Sequence, residues 1–207
     1  MFPEISIEQL VAWGLRDPQQ AKQELQILSD SGLTPSLVTQ ILGRFSQLLP
    51  LTSDPDDVLR DYVNLIQKLS PNVSFSGESA ANDVCLNLIN LFSMSQPLRV
   101  SVLEDLDIVP LLEHVQNANC DLNDMSASIS EAIQQFDKND SDLVARLHRL
   151  KNQRITQIGF LELIFFPSLE IISEKLTTVC ESIIRATVQF LLQRHEDRWG
   201  NPIRSDG

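Results

Sequence analysis

Three times in its first 55 residues the chain places a side chain able to cap a helix directly before proline: Asp17-Pro18, Thr34-Pro35 and Asp54-Pro55. Each pair is a helix start. The Asp or Thr oxygen accepts from the free amides of the first turn, and proline at the first helical position gives up no hydrogen bond, because its missing N–H has no intrahelical partner there. Each start opens a stretch with helical spacing of apolar residues: Leu25 and Leu28 after the first, Leu37, Ile41, Phe45 and Leu48 after the second, and Val58, Tyr62, Leu65, Ile66 and Leu69 after the third. Ser31-Gly32 and Pro50 supply the stops between them. Short connections of this kind leave consecutive helices packed side by side or antiparallel. The most loop-like stretch is Ser70–Ser79 (SPNVSFSGES). It suggests a division into an N-terminal helical array, 1–75, and a second helical region, 76–207, or one continuous domain.

Beyond that stretch the spacing predicts a helix from about Asn82 to Met94, with Val84, Leu88, Leu91 and Phe92 on one side. Gln96-Pro97 and Val109-Pro110 punctuate two short helical pieces, and a Ser- and Asn-rich helix is expected from about Leu122 to Phe136. The last third differs. Helical spacing runs almost unbroken from Ser141 to Phe166 and from Ser168 to Trp199, where Gly200-Asn201-Pro202 ends it. Two long helices joined at Pro167 form an antiparallel hairpin, with Leu143, Leu147, Leu150, Ile158 and Leu161 expected against Leu176, Val179, Ile183, Val188 and Leu191. The expected architecture is therefore all-α: an array of short helices followed by a long antiparallel helical hairpin. No short internal repeat of fixed period is present, which disfavours a solenoid of identical units.

Charge narrows the function classes. The formal net charge of the 207 residues is −12, which opposes tight non-specific binding to nucleic acid or to anionic membrane. It is unevenly spread: residues 1–140 carry seven basic and twenty acidic residues, whereas 141–207 carry nine and eight. An anionic ligand is better suited to the second part. The longest apolar stretch, Ile158–Leu169, contains Glu162 and Pro167 and is too short to span a bilayer. The sequence MFPEISIEQL lacks the basic and long apolar regions of a signal peptide. A cytoplasmic location is expected. Cys85, Cys120 and Cys180 are far apart, in no metal-binding spacing, and read as small apolar residues.

The richest polar cluster is Arg146-Leu-His148-Arg149-Leu-Lys151-Asn-Gln-Arg154. On a helix Arg146, Arg149 and Lys151 do not all share one face, but Arg146, His148, Arg149 and Asn152 span adjoining turns. Arg146, Arg149, Lys151 and Arg154 are candidates to contact a phosphate or an acidic partner. The same residues also fit a solvated helix face whose cations pair with nearby acids of the chain. Asp54-Pro-Asp56-Asp57 looks like a metal cluster but fits a capped helix start, with Asp56 and Asp57 favoured by the helix dipole. Glu104-Asp105-Leu-Asp107, between short helices, calls for the same caution. His114, His148 and His195 have no paired-ligand spacing, and neither a GxxxxGK[ST] loop nor GxGxxG is present. Trp13, Trp199 and the nine phenylalanines read as packing groups. No catalytic residue and no metal ligand are assigned.

The run Leu147–Leu163 (LHRLKNQRITQIGFLEL), the acid-bearing helix Leu176–Trp199 and Gly200-Asn-Pro202 together resemble one region of the glutamate–ammonia-ligase (glutamine synthetase) adenylyltransferase and adenylyl-removing enzymes. That family has a basic helix of the type LRRFRRREMLRIALRDL before a long helix ending near RFG-x-P, followed by a strand and the motif GKLGG…SSDxD. Leu147, Arg149, Lys151, Ile158, Glu162 and Leu163 fall where the family has Leu, Arg, Arg, Ile, Asp and Leu. Leu88–Val115 is similar to its segment of type RLFGxSxFLxxLLxxHPELLDWLL, so the resemblance covers roughly residues 85–204. Asn152 and Gln153 depart from arginine, and Arg154 stands in place of Glu. The chain stops at Gly207, where the nucleotidyltransferase strand should begin. Such chemistry needs Asp carboxylates for divalent metal and a Gly-rich turn, neither of which is read in these residues, so the resemblance implies the helical N-terminal portion of such an enzyme or a shortened relative that has lost the active site.

The resemblance implies a helical accessory region of a nucleotidyltransferase active in regulating nitrogen metabolism, with no complete active site in this chain. Mg and ATP are implied only for the full-length parent. The implied partners are the catalytic nucleotidyltransferase domain or glutamine synthetase, with no nucleic acid and no membrane. A stand-alone helical protein–protein interaction module is the alternative.

Overall fold

The computed structural model describes residues 5–69, 78–113, 115 and 140–200, and among them it contains nine α-helices and no strand. The helices are α1 (Ile7–Ala12), α2 (Pro18–Asp30), α3 (Pro35–Leu48), α4 (Pro55–Leu69), α5 (Glu78–Met94), α6 (Gln96–Glu104), α7 (Ile108–Glu113), α8 (Asp140–Phe165) and α9 (Leu169–Trp199). A single 3-10 turn, Leu49–Leu51, follows α3. The chain is all-α, and α8 with α9 forms the long hairpin. The helix read at Leu122–Phe136 and most of the loop read at Ser70–Ser79 lie outside the described residues.

The cap-and-proline signals at α2 and α3 act as the chemistry requires. Asp17 accepts from the Gln20 amide at 3.0 Å and Thr34 from the Leu37 amide at 3.3 Å, while Pro18, Pro35 and Pro55 open their helices. Gly32, at φ 83°, turns the chain out of α2 in a conformation that glycine adopts without strain. Asp56 does more than favour the start of α4. Its carboxylate accepts from the backbone amides of Arg16 at 3.1 Å and Asp17 at 3.3 Å, tying the α1–α2 link to α4.

One continuous buried cluster runs from Ile5 through Leu28, Phe45, Leu65, Phe92 and Val109 to Ile158, Leu161 and Val179. At its centre Tyr62 stands edge-on to Phe45, with ring centroids 5.3 Å apart, and to Phe92 at 6.1 Å. Its hydroxyl donates to the Cys85 carbonyl at 3.0 Å, so a buried polar atom is satisfied across α4 and α5. A second link joins α4 to α6: Arg99, buried, pairs with Asp61 at 3.2 Å. Helix α8 lies against α5, α6 and α7. The approach to α6 is close, since a Cβ added at Gly159 meets Leu98 Cδ1 at 2.4 Å.

The hairpin corrects one detail of the sequence reading. Leu143 and Ala186 are buried together, with Leu147, Leu150, Ile183 and Phe190 around them. Leu176, Val188 and Leu191, expected on this inner face, instead point to solvent. The reason is that α9 is apolar on two opposite sides. Ile172, Val179, Ser182 and Ala186 form the inner face, while Ile184, Val188, Leu191, Leu192 and Trp199 follow one another at helical spacing along the outer one. Periodicity alone does not choose between the two. At the hairpin tip the Phe166 amide closes α8 on the Glu162 carbonyl at 3.1 Å, and Phe166 takes φ 47°. A bulky residue in this left-handed region costs roughly 1–2 kcal/mol, where glycine costs nothing.

Candidate interaction site on the basic helix

The basic cluster lies on α8, which is long enough to reach from the hairpin into the polar turn between α6 and α7. That turn carries Asp105 and Asp107. Asp105 follows the last residue of α6, and its carboxylate accepts from the Asp107 amide at 3.3 Å, which fixes the turn.

Arg149 meets this turn with a fork of hydrogen bonds. Its Nε donates to Asp105 Oδ2 at 2.8 Å, and its Nη2 donates to Asp105 Oδ1 at 2.7 Å and to Asp107 Oδ2 at 2.6 Å. One turn later Gln153 Nε2 donates to Asp105 Oδ2 at 2.8 Å. A turn further on, Gln157, which accepts from Arg154 Nη1 at 2.8 Å, donates to the Leu111 carbonyl of α7 at 2.8 Å. Residues 149, 153 and 157 are four apart, so they form one polar stripe down α8. The stripe latches α8 to the α6–α7 turn at one end and to α7 at the other. Between them Thr156 is fully buried and donates to the Asn152 carbonyl at 2.8 Å.

The electrostatics follow from this geometry. Hydrogen bonding from Arg149 holds the Asp105 carboxyl below its ordinary range, against the opposing effect of its partial burial. The planar guanidinium matches the carboxylate with two parallel bonds, which a lysine cannot do. An incoming phosphate at Arg149 must therefore displace two carboxylates that already occupy the fork.

The four candidates separate into different environments. Arg149 and Arg154 make bonds within the chain, Arg146 lies on the exposed surface one turn earlier, and Lys151 is half-buried on another side of the helix. The structure brings Arg149 together with Gln153, Asp105 and Asp107; it does not gather the four cations around one point. Gln153 and Gln157 were missed as site residues. Their signal was present in the four-residue spacing from Arg149, and Gln153, one of the positions that depart from a basic run, is an interhelical contact.

Elsewhere a groove of about 540 Å³ between α2 and α4 is lined by Gln20, Gln23, Glu24, Arg60 and Asn64. Arg60 already answers two of the acids near this groove, Asp57 at 2.8 Å and Glu24 at 3.8 Å.

Residues 85–207 match the family model of glutamate-ammonia ligase adenylyltransferase. The chain belongs to that family. The match starts within α5 and takes in α6 to α9, so the whole Asp105–Arg149–Gln157 stripe lies inside it, while α1 to α4 precede it. Comparison with curated proteins and with solved structures gives no match.

Magnesium, implied for the full-length enzymes of the family, would need several oxygen ligands brought together if the described residues were to hold it. Among them no three His, Cys, Asp or Glu side chains converge to hold a metal ion. Asp105 and Asp107, a carboxylate pair within the matched stretch, are both engaged by Arg149. Among the described residues no helix is long and apolar enough to cross a membrane.

Proposed function

We propose that this chain is the helical accessory region of an adenylyltransferase acting on glutamate-ammonia ligase, and that it positions the nucleotidyltransferase domain or the protein substrate rather than performing the transfer itself. The observation that carries this reading is the family match over 85–207, whose described residues are packed helices and a hairpin latched by Arg149 and Gln153. A scaffold suits this role because its interhelical contacts are specific. Arg149, Gln153 and Gln157 fix the rotation of α8 against α6 and α7, and α8 in turn sets the direction of α9, whose outer face and tip are exposed. Arg146 and Lys151 remain candidate contacts to an anionic partner, while Arg149 and Arg154 act by holding the helix in register.

Two measurements on the 207-residue chain test the reading. Incubation with labelled ATP, magnesium and glutamate-ammonia ligase is expected to leave the ligase unlabelled, while direct binding to the ligase or to the nucleotidyltransferase domain is expected to be measurable by calorimetry. Incorporation of label by the chain alone, or absence of binding to both proteins, is the result that sinks it.

A further inference from the structure

The tip of the α8–α9 hairpin presents two apolar side chains to water. Phe166 is 77% exposed and Leu169 is 76% exposed, while the adjacent Phe165 packs against the core. Of two successive phenylalanines, one anchors the tip and the other is displayed. The backbone makes the display unusual, because Phe166 has φ 47° and is the one non-glycine residue with positive φ among those described. A glycine fits this helix end better on every local ground: it needs no Cβ clearance, and it closes α8 with the same amide bond to Glu162. The ring is therefore not explained by the turn that carries it. A residue held in a strained conformation, with its side chain turned away from the core, points to a role outside the fold.

The surroundings narrow what the ring meets. Glu162, Glu170 and Glu174, all exposed, lie within about a turn of the tip on the two helices. The Glu170 carboxyl is held below its ordinary range by its own backbone amide and by the Ser168 hydroxyl, so it is charged at neutral pH. A loop with an aromatic tip can enter a lipid surface or a protein pocket. Three exposed carboxylates near the tip oppose an anionic lipid surface and favour a protein pocket with a basic rim.

We propose that Phe166 and Leu169 form a docking knob that enters an apolar, basic-rimmed pocket on the protein this chain serves. The proposal rests on the accessory reading above, and it adds the surface through which that reading operates.

The test uses the 207-residue chain with immobilised glutamate-ammonia ligase as the probe. F166G is expected to move stability and binding in opposite directions. The melting temperature rises by about 2–4 °C as the strained backbone is relieved, while affinity falls by about tenfold or more, as expected for loss of an aromatic anchor. F166W keeps the ring and retains binding. E170K weakens binding, and L51S, at a residue 81% exposed beside α3, leaves it unchanged as the control for general stickiness. Unchanged affinity in F166G overturns the proposal, as does an equal loss in L51S. So does binding to phosphatidylserine vesicles that F166G abolishes. If the parent chain fails to bind the ligase, the accessory reading for this partner and the knob fall together; if the parent binds and F166G binds equally well, only the knob falls.

Discussion

The helices before residue 70 and the α8–α9 hairpin are held by different physics. In α2, α3 and α4 the apolar stripes point into one core, side-chain caps fix the starts of α2 and α3, and Tyr62 joins two aromatic rings. In the hairpin the inner face of α9 has only four buried residues, one of them a serine, and α8, which buries Ile158, Phe160 and Leu161 in the same core, is fastened in addition by a polar stripe. The two described cysteines differ too: in α5, packed against that first region, burial pushes the Cys85 thiol up to about 11, while Cys180 on α9 is exposed. A buried apolar core supplies stability without direction, whereas a stripe of matched hydrogen bonds sets one rotation of one helix. The first region stabilises the chain, and the second aims a surface.

The largest effect is expected where the first region is densest. Phe45 is fully buried and edge-on to Tyr62, so Phe45→Ala should cost about 3–5 kcal/mol in urea unfolding, from lost transfer energy and the cavity left behind. A loss below 1 kcal/mol there breaks the comparison. Tyr62 adds an alkaline limb. Burial raises its folded-state pKa well above the unfolded value, so its contribution is complete below about pH 10 and is lost as pH rises beyond it, because only the unfolded chain ionises readily. Tyr62→Phe should flatten that limb of the stability profile.

The latch comes next in size. Arg149→Met removes the fork and leaves Asp105 with Gln153 as its remaining side-chain donor. With Arg149 53% exposed, and its charge accordingly screened by solvent, the expected loss is about 1–2 kcal/mol. The pH dependence runs opposite to that of Tyr62. The folded-state pKa of Asp105 is depressed, so its contribution is present above the unfolded carboxylate value near 4 and is lost as pH falls through the folded value. Asp105→Asn should weaken the chain at neutral pH and make its stability less dependent on pH in the acid range. An unchanged acid limb in this variant assigns the acid sensitivity to other carboxylates.

Much of this was legible in the sequence because the signals were local. Asp17-Pro18 and Thr34-Pro35 specify a helix start within four residues, and Gly200 with Pro202 marks an end. The short helix α1 escaped notice although its signal was equally local: Ser6 and Gln9 form a reciprocal capping box, with bonds of 3.3 and 2.9 Å. The site was less legible because its decisive contacts span 42 to 48 residues, from Asp105 and Asp107 to Arg149 and Gln153. No short-range pattern encodes which acid a given arginine meets. The inner face of α9 was misjudged for a related reason: Val188 and Leu191 have helical spacing, but so do the residues on the opposite side, and only the packed partner decides between them.

The smallest expected effect lies on that outer face. Val188 and Leu191 are about half exposed on α9, so their apolar area is already largely in contact with water in the folded chain. Replacing both with Gln removes little burial, and glutamine is a good helix former, so the stability of the isolated chain should change by less than about 0.5 kcal/mol. The same pair of substitutions would cost several times more if the face were covered in solution, because each buried apolar side chain contributes about 1.5–3 kcal/mol. Urea unfolding at two protein concentrations separates the cases. A small change at both leaves α9 a presented surface, as the comparison of the two regions requires. A large, concentration-dependent loss shows instead that the outer face of this helix belongs to an interface between copies of the chain.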